Sequence, residues 1–262
     1  MTAMLMPVLF IGHGSPMTAI RQDCFSQGIE QVAKTLPRPK AILCISAHWE
    51  TRGTAVTAME HPRTIHDFGG FPRELYEVEY PAPGSPALAE RVKALVSLAN
   101  VRLDVDWGLD HGCWSVVKYL FPEADVPIVE LSLDYEKSAA FHYALARELA
   151  ALRSEGVMIV ASGNVIHNLR MIDWDRLYTP DSGYDWAYEV HESVKNRIAA
   201  HDHEPLINYT AQGRAFGLAA PTPDHFLPML YALALQKEGE RVEFFNDKLV
   251  GGSLDMTSFV IR

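Results

Sequence analysis

The sequence predicts an α/β fold in which a central sheet, mostly parallel or mixed, is flanked by helices. Short apolar runs rich in branched residues each end in polar or Gly-containing sequence, as buried strands do. Stretches with helical periodicity separate these runs along the chain. The length of 262 residues suits one large domain better than two small ones, so residues 1–262 are predicted to form a single domain.

The predicted elements follow one another from a first buried strand to an edge of the sheet. Four apolar runs are predicted as strands, at residues 7–11, 41–45, 126–133 and 157–161. Ser85 and Pro86 suit the cap and the first turn of a helix. Two further helices are predicted over residues 138–153 and 186–200. The last elements, two strands at an antiparallel edge, are predicted over residues 242–245 and 256–261.

Composition and charge narrow the classes of function. The formal net charge is −10 without a Lys/Arg cluster, and a surface of that sign repels phosphate backbones, so no nucleic-acid partner is expected. No apolar run is long enough to cross a bilayer, so no membrane partner is expected either. Residues 1–9 lack the pattern of a secretory signal, and the three cysteines include no CxxC pair. A cytoplasmic location is therefore expected.

Four histidines lie where a sheet of this kind places a binding site. His13, His48 and His167 each follow a predicted strand within a few residues, and ligands of open α/β sheets bind beyond the carboxyl ends of strands. His225 stands at the predicted start of a helix and can reach the same crevice from the loop side. A single histidine in such a place is more often an ordinary packing or hydrogen-bonding residue. Four of them, most with small residues close by, are typical of a metal site.

The residue types indicate a catalytic metal site at the carboxyl ends of the strands. Imidazole is a suitable ligand for zinc, copper, iron and nickel. Three protein nitrogens with open coordination positions are typical of catalytic sites, whereas closed structural sites use four ligands that often include paired cysteines. The residues alone therefore predict a His-rich catalytic metal site and leave the metal and the reaction open.

Long, turn-rich segments interrupt the α/β pattern at residues 61–84, 104–113 and 202–224, and loops of that size are usually functional. The first two contain His66 and His111, each beside a carboxylate. Each of these histidines either anchors its loop by hydrogen bonds or contacts a substrate, together with aromatic neighbours such as Trp114. The remaining histidines are predicted to be solvated, namely His61, His142, His191, His201 and His203.

Six motifs in this order closely resemble those of the class III extradiol ring-cleavage dioxygenases: GHGSP, SAHW, IHDFGGFP, DHGCW, SGNVIHNL and PTPDH. They span residues 12–225, and the resemblance is closest to the DODA-type branch, the 4,5-DOPA dioxygenases. It implies an enzyme that opens a DOPA-like catechol with O₂ at a mononuclear non-haem metal. The implied ligands are His13, His48 and His225, with His167 as the neighbouring acid/base or as a fourth ligand. The substrate contacts expected beside them are His111, His66 and Trp114.

The implied metal site departs from that of the wider family, in which the third ligand is a glutamate. His225 stands in the corresponding place here, as in the DODA-type branch. An all-histidine site is one unit more positive, and it also resembles a zinc site. Fe(II) is expected for catalysis because zinc cannot change its oxidation state, whereas Zn(II) is expected in purified protein because nitrogen sites bind it more tightly.

Three other functions use the same residues. A zinc-dependent hydrolase would activate a metal-bound water, with His167 as the general base. A Ser-His-Asp esterase has less support because the sequence contains no G-x-S-x-G elbow. A non-catalytic metal carrier would leave the long loops, the aromatic residues near the histidines and the fourth histidine without a role.

Overall fold

Strands and helices alternate along much of the chain in the computed structural model, which describes residues 5–262. The strands are β1 (Val8–Gly12), β2 (Ala41–Ser46), β3 (Glu50–Thr51), β4 (Ala55–Thr57), β5 (Arg102–Asp104), β6 (Ile128–Glu130), β7 (Leu133–Asp134), β8 (Val157–Gly163), β9 (Val242–Phe245), β10 (Leu249–Val250), β11 (Leu254–Asp255) and β12 (Ser258–Ile261). The helices are α1 (Cys24–Ala33), α2 (Arg73–Tyr76), α3 (Pro86–Leu95), α4 (His111–Leu120), α5 (Ala139–Glu148), α6 (Ala151–Glu155), α7 (Asp185–Ala199), α8 (Glu204–Ile207), α9 (Arg214–Ala219) and α10 (Leu227–Ala234).

A six-stranded mixed sheet with the order β6-β2-β8-β1-β12-β9 forms the centre of the fold. Its first four strands run parallel to one another, β12 pairs antiparallel with β1, and β9 pairs antiparallel with β12. The predicted α/β fold and its antiparallel edge are therefore confirmed. Since β2, β8 and β1 are adjacent parallel strands, their carboxyl ends meet at one edge of the sheet, which is where the candidate site lies.

Both faces of the sheet are buried, which explains why its strands are apolar at nearly every position. Val8 and Phe10 point into the core that α3, α5, α7 and α10 help to form. Leu9 and Ile11 point to the opposite face, where α1 and α4 pack. All four side chains are fully buried, and each such burial stabilises the fold by about 1.5–3 kcal/mol relative to an exposed side chain.

Two predicted elements are each divided in the structure. The helix predicted over residues 138–153 is interrupted after α5, where the Leu149 N–H bonds to the Ala146 carbonyl and closes a tight turn before α6. The strand predicted over residues 126–133 is split because its pairing changes. The Leu131 N–H still bonds to the β2 carbonyl of Cys44, whereas the next N–H bonds to Ala55, and β7 then pairs with β3.

Three histidines that were predicted to be solvated are buried. The side chain of His142 bonds to the Tyr231 hydroxyl at 2.9 Å, His191 to the Asp255 carboxylate at 3.0 Å, and both histidines lie on helix faces that pack inward. His203 is also buried. The prediction failed because the sequence around a helical histidine does not show whether its side chain has a hydrogen-bond partner in the core.

None of the helices within residues 5–262 combines the length and the apolar character that a bilayer crossing requires.

Candidate metal centre

The end of β8 ties together the three loops that carry the central histidines. The backbone N–H of His13 bonds to the Gly163 carbonyl at 3.2 Å, and the N–H of Ala47 bonds to the Ser162 carbonyl at 3.0 Å. The carbonyl of His225 accepts from the N–H of Asn164 at 2.9 Å. The loops after β1 and β2 and the segment before α10 therefore approach one another at the carboxyl edge of the sheet.

Small residues make this close approach possible. A Cβ added at Gly163 would lie 2.3 Å from the carbonyl oxygen of His225, and one added at Gly12 would lie 2.7 Å from the backbone of Met256. A Cβ added at Gly112, beside His111, would lie 2.3 Å from the Ser46 hydroxyl. Any larger residue at these points would push a histidine-bearing segment away from the centre.

His13, His48 and His225 converge, and one possible ligand atom from each lies within 4.8 Å of the others. The Nε2 atoms of His13 and His48 are 3.0 Å apart. The ring centroids of His13 and His225 are separated by 5.2 Å, and those of His48 and His225 by 5.0 Å. Three imidazoles from distant parts of the chain thus face one point.

The Nδ1 atom of each of the three rings faces a second partner. His13 Nδ1 hydrogen-bonds to the Ser162 hydroxyl at 2.9 Å, and His225 Nδ1 hydrogen-bonds to Asp224. His48 Nδ1 lies 3.6 Å from an oxygen of Asp67. A donor proton on Nδ1 leaves Nε2 as the free lone pair. The Nε2 atom of His225 is buried and has no hydrogen-bond partner among residues 5–262.

The electrostatics of the cluster also fit a cation. Burial lowers the pKa of His13 well below its usual range, and positive charge on His225 and His111 would lower it further. The pKa of His48 is lowered in the same way, first by burial and then by His111 and His13. Both imidazoles are therefore neutral at pH 7, which is the form that binds metals. A buried, unpartnered Nε2 beside two neutral imidazoles is a donor set suited to a divalent transition metal.

Two acidic residues lie behind the rings. Burial by itself would raise the pKa of Asp224, but its bond to His225 holds that pKa well below its ordinary value. The pKa of Asp67 is also lowered because its bonds to His111 outweigh the effect of burial. Two further groups that could hold a metal contain these carboxylates, His48–Asp67–His111 and His167–Asp224–His225. Since both carboxylates already bond to imidazole Nδ1 atoms, the all-histidine group is the better candidate.

The start of α4 is fixed by a buried polar chain. The Asp110 side chain caps this helix by accepting from the N–H of Cys113 at 3.1 Å. The Ser46 hydroxyl donates to Asp110 at 2.6 Å and accepts from the N–H of His48 at 3.2 Å. The N–H of Asp110 in turn donates to Glu130 at 2.9 Å. The chain links the loop of His48 to the helix that begins with His111.

His167 lies beside the three-histidine group and is not a member of it. Its ring is parallel to that of His225, with centroids 3.4 Å apart and an interplanar angle of 6°. Burial, then positive charge on His225, lowers the pKa of His167 to about 3. The ring is therefore neutral at pH 7.

A cavity of about 700 Å³ opens over the cluster. His48, His111, His167 and His225 line its floor. The walls are mainly apolar, with contributions from Met17, Phe71, Leu169, Ile172, Trp174 and Leu177. Its size and lining suit a small aromatic molecule.

His66 and Trp114, which were expected to contact a substrate, do not line this cavity. The Nε2 atom of His66 bonds to the Val78 carbonyl at 3.0 Å, and the ring packs against Phe68. Trp114 is fully buried and donates its indole N–H to the Ile65 carbonyl at 2.8 Å. Both side chains therefore anchor the loop over residues 61–84, and only His111 of the three reaches the cavity.

Sequence reasoning did not identify the residues that orient the rings. Asp67 is adjacent to His66 in sequence, yet it bonds to His111, which lies 44 positions further along. Ser162 lies one residue before the end of β8 and opens the motif SGNVIHNL, but the motif did not indicate that its hydroxyl would bond to His13. Asp224 had a usable signal, because it stands directly before His225 and such a neighbour can accept from the ring.

Comparisons with known proteins identify the family of the chain. Residues 7–254 match the family model described as the catalytic LigB subunit of aromatic ring-opening dioxygenase. A 4,5-DOPA dioxygenase extradiol from Escherichia coli (strain K12) is 47% identical over 100% of this chain and 96% of that protein. One from Beta vulgaris is 35% identical over 95% of this chain and 94% of that protein. An uncharacterized protein from Escherichia coli K12 has a solved structure with a TM-score of 0.82 and 43% identity, covering 98% of this chain and 100% of that one.

Proposed function

Because the chain belongs to the family of catalytic LigB subunits of aromatic ring-opening dioxygenases, we propose that it opens DOPA-like catechols at a metal held by His13, His48 and His225. The chain is an extradiol ring-opening dioxygenase. Its relatives from Beta vulgaris, Mirabilis jalapa and Portulaca grandiflora are each named 4,5-DOPA dioxygenase extradiol. The observation that supports the ligand assignment is the convergence of three imidazoles whose Nδ1 atoms face other partners.

The proposed metal is Fe(II), and the protein around it is proposed to exclude water and to orient the substrate. When bound, Fe(II) would acidify the catechol and supply the one-electron chemistry that O₂ requires, which zinc cannot do. The mainly apolar walls of the cavity exclude water from the ring, and the four histidines of the floor can meet polar groups of the substrate. A catechol therefore has one favourable orientation, with its hydroxyl groups toward the floor.

His167 is proposed as the acid/base. Its neutral ring can accept a proton from a catechol hydroxyl at an imidazole nitrogen. A negatively charged catechol oxygen close to His167 would favour the protonated ring and so raise its pKa from the low value in the free cluster. The protonated ring can then return that proton to an oxygen later in the reaction.

His111 is proposed to bind a substrate oxygen. Asp67 accepts from both the backbone N–H and the ring of His111, each at 2.8 Å, so Nδ1 carries the proton and Nε2 is free. The ring is only 4% exposed and lines the cavity floor. A fixed imidazole at this point can accept a hydrogen bond from a hydroxyl group and so set the position of the aromatic ring.

We also propose that residues 1–262 act as one catalytic domain, since the family match covers residues 7–254. The hydrolase alternative has no support among the relatives, because those from Escherichia coli (strain K12) and Beta vulgaris are both named 4,5-DOPA dioxygenase extradiol. A small aromatic molecule and O₂ are the reactants that the family implies.

The test is reconstitution with Fe(II) under argon, followed by addition of DOPA and air. Oxygen uptake and a yellow ring-opened product are expected from the wild-type protein. His13→Ala, His48→Ala and His225→Ala should lose both iron and activity, whereas His61→Ala, which changes an exposed loop histidine, should retain both. A folded, iron-loaded wild-type protein that consumed no oxygen with any catechol would rule out the proposed function.

A further inference from the structure

One cationic side chain lines the cavity above the histidines. Among the described residues of its wall, Arg21 is the single lysine or arginine, and none is an aspartate or a glutamate. The chain as a whole is acidic, with a formal net charge of −10. Although the protein as a whole is acidic, this arginine places a positive charge in the cavity, and that charge favours the binding of anions.

The backbone of Arg21 is held in place by a hydrogen bond from its N–H to the Met17 carbonyl at 3.0 Å. Its carbonyl also lies 3.4 Å from the hydroxyl of Tyr119, which donates mainly to the Thr18 carbonyl at 2.8 Å. Met17 belongs to the same connection after β1 that carries His13. The side chain therefore projects from a segment that is fixed relative to the histidine cluster.

The guanidinium group of Arg21 is also oriented. It lies over the ring of Tyr178, with 3.8 Å between its central carbon and the ring centroid. Stacking on an aromatic face holds the plane of the guanidinium and leaves its edge, where the N–H donors are, free to meet a ligand.

The donors of Arg21 are poorly used within the protein. Its Nε atom is buried and lacks a hydrogen-bond partner in the described part of the chain. The carboxylate paired with it, Asp23, is 3.8 Å from Nε, which is too far for a hydrogen bond. The other oxygen of Asp23 caps α1 by accepting from Phe25 and Ser26. The side chain as a whole is 40% exposed, so its terminal N–H groups, and not the buried Nε, are the donors that can bind a carboxylate in a bidentate arrangement.

Arg153 shows what a structural arginine looks like in this fold. Its side chain is fully buried, and it donates to the carbonyls of Met6 and Leu235 and to the carboxylate of Glu240. Every side of that guanidinium is occupied by the protein. Arg21 differs in both respects, since it borders a cavity and its Nε has no acceptor.

We propose that Arg21 binds a carboxylate on the side chain of the catechol, and that it selects catechols with an anionic side chain. The assignment rests on the proposed function and narrows its substrate class. The ring would lie toward the histidine floor, with the aliphatic part of the side chain along the apolar wall. A cationic amine on the same side chain would meet no carboxylate among the described wall residues, so it is not expected to contribute.

The test compares the binding of two catechols that differ in charge. Dissociation constants of 3-(3,4-dihydroxyphenyl)propionate and 4-methylcatechol are measured by calorimetry under argon with iron-loaded wild-type protein and Arg21→Met. The variant keeps the aliphatic stem and removes the charge. The ratio of the two dissociation constants should shift by about 10- to 100-fold against the carboxylate, the range for a charged hydrogen-bonded contact.

Two further variants sharpen the result. Arg21→Lys should restore part of the ratio, because an ammonium group keeps the charge and loses the bidentate geometry. Arg38→Met removes an exposed arginine that is paired with Asp125, and it should leave the ratio as in the wild type. A ratio that Arg21→Met does not change, or equal losses for both ligands, would overturn the proposal.

Oxygen uptake by the wild-type protein with the same two catechols tests the proposed function separately. If neither catechol is opened, the ring-opening function with these substrates fails, while the ratio of dissociation constants still decides the role of Arg21. If both are opened and the ratio is insensitive to Arg21, only the carboxylate proposal fails.

Discussion

Asp67 accepts hydrogen bonds from both the backbone N–H and the ring Nδ1 of His111, each at 2.8 Å, and its second interaction is with His48 at 3.6 Å. One carboxylate thus orients a proposed substrate contact and lies close to a proposed metal ligand. The loop over residues 61–84 supplies it, so the order of that loop is coupled to the order of the site.

Asp67→Asn should lower kcat/KM for catechols by roughly 10- to 100-fold, as the loss of an orienting partner behind a metal ligand does. An amide can accept at only one of the two positions, so either the N–H or the ring of His111 loses its acceptor. Steady-state kinetics and iron content measure the effect, with Asp106→Asn, on the exposed side of a neighbouring loop, as the control. Wild-type kinetics in iron-loaded Asp67→Asn would contradict the orienting role.

His167→Ala separates the two roles that this histidine could have. As an acid/base, its loss should reduce turnover by roughly 10²- to 10⁴-fold while the protein keeps its metal. The geometric reason for this expectation is that His167 stacks on His225 but does not itself belong to the three-histidine group. Metal analysis alongside kinetics decides the matter, because a collapse of metal content would make His167 a ligand.

The fold could be predicted from the sequence wherever burial determines the pattern of apolar residues along a strand or helix. The strands β1, β2 and β8 are buried on both faces, so their apolar runs were visible, and the position of His13 and His48 after them predicted a shared edge. The pattern could not predict where pairing partners change, as at Leu131, because that depends on a strand distant in sequence.

The site was less predictable than the fold. Histidines are conspicuous in a sequence, but a side chain such as Arg21 has the same appearance whether it is solvated or lines a cavity. Asp67 and Ser162 gain their roles from residues 44 and 149 positions away. Such pairings are fixed by the three-dimensional arrangement of loops, for which the local sequence carries no period or cap signal.

His142 is expected to make stability depend on pH. Burial lowers its pKa to about 4 and outweighs the hydrogen bond to the Asp134 carbonyl, which by itself would raise the pKa. In the unfolded chain the pKa is about 6.5, so the unfolded state binds the proton first as the pH falls. The stabilisation is complete above pH 6.5 and is lost progressively toward pH 4.

The comparison is between wild type and His142→Gln in urea unfolding at pH 7.5 and pH 5.0. Lowering the pH should reduce the free energy of unfolding of the wild type by about 2 kcal/mol more than that of the variant. The histidines of the metal cluster also contribute to the slope, so the difference between the two proteins is the informative quantity. His61→Gln, at an exposed position, should follow the wild type, and parallel slopes for His142→Gln would contradict the assignment.

The metal that is found and the metal that works are expected to differ. Zinc binds nitrogen ligands more tightly than Fe(II), and a site of three imidazoles without a carboxylate ligand offers little to reverse that order. Protein purified in air should therefore carry substantial zinc.

Zinc-loaded protein should bind catechols in a calorimeter without consuming oxygen, because zinc has no accessible second oxidation state. Removal of zinc with a chelator and reconstitution with Fe(II) under argon should restore oxygen uptake once air is admitted. If the zinc form consumed oxygen with catechols as fast as the iron form, one-electron chemistry at the metal would not be required, and the proposal of Fe(II) would be wrong.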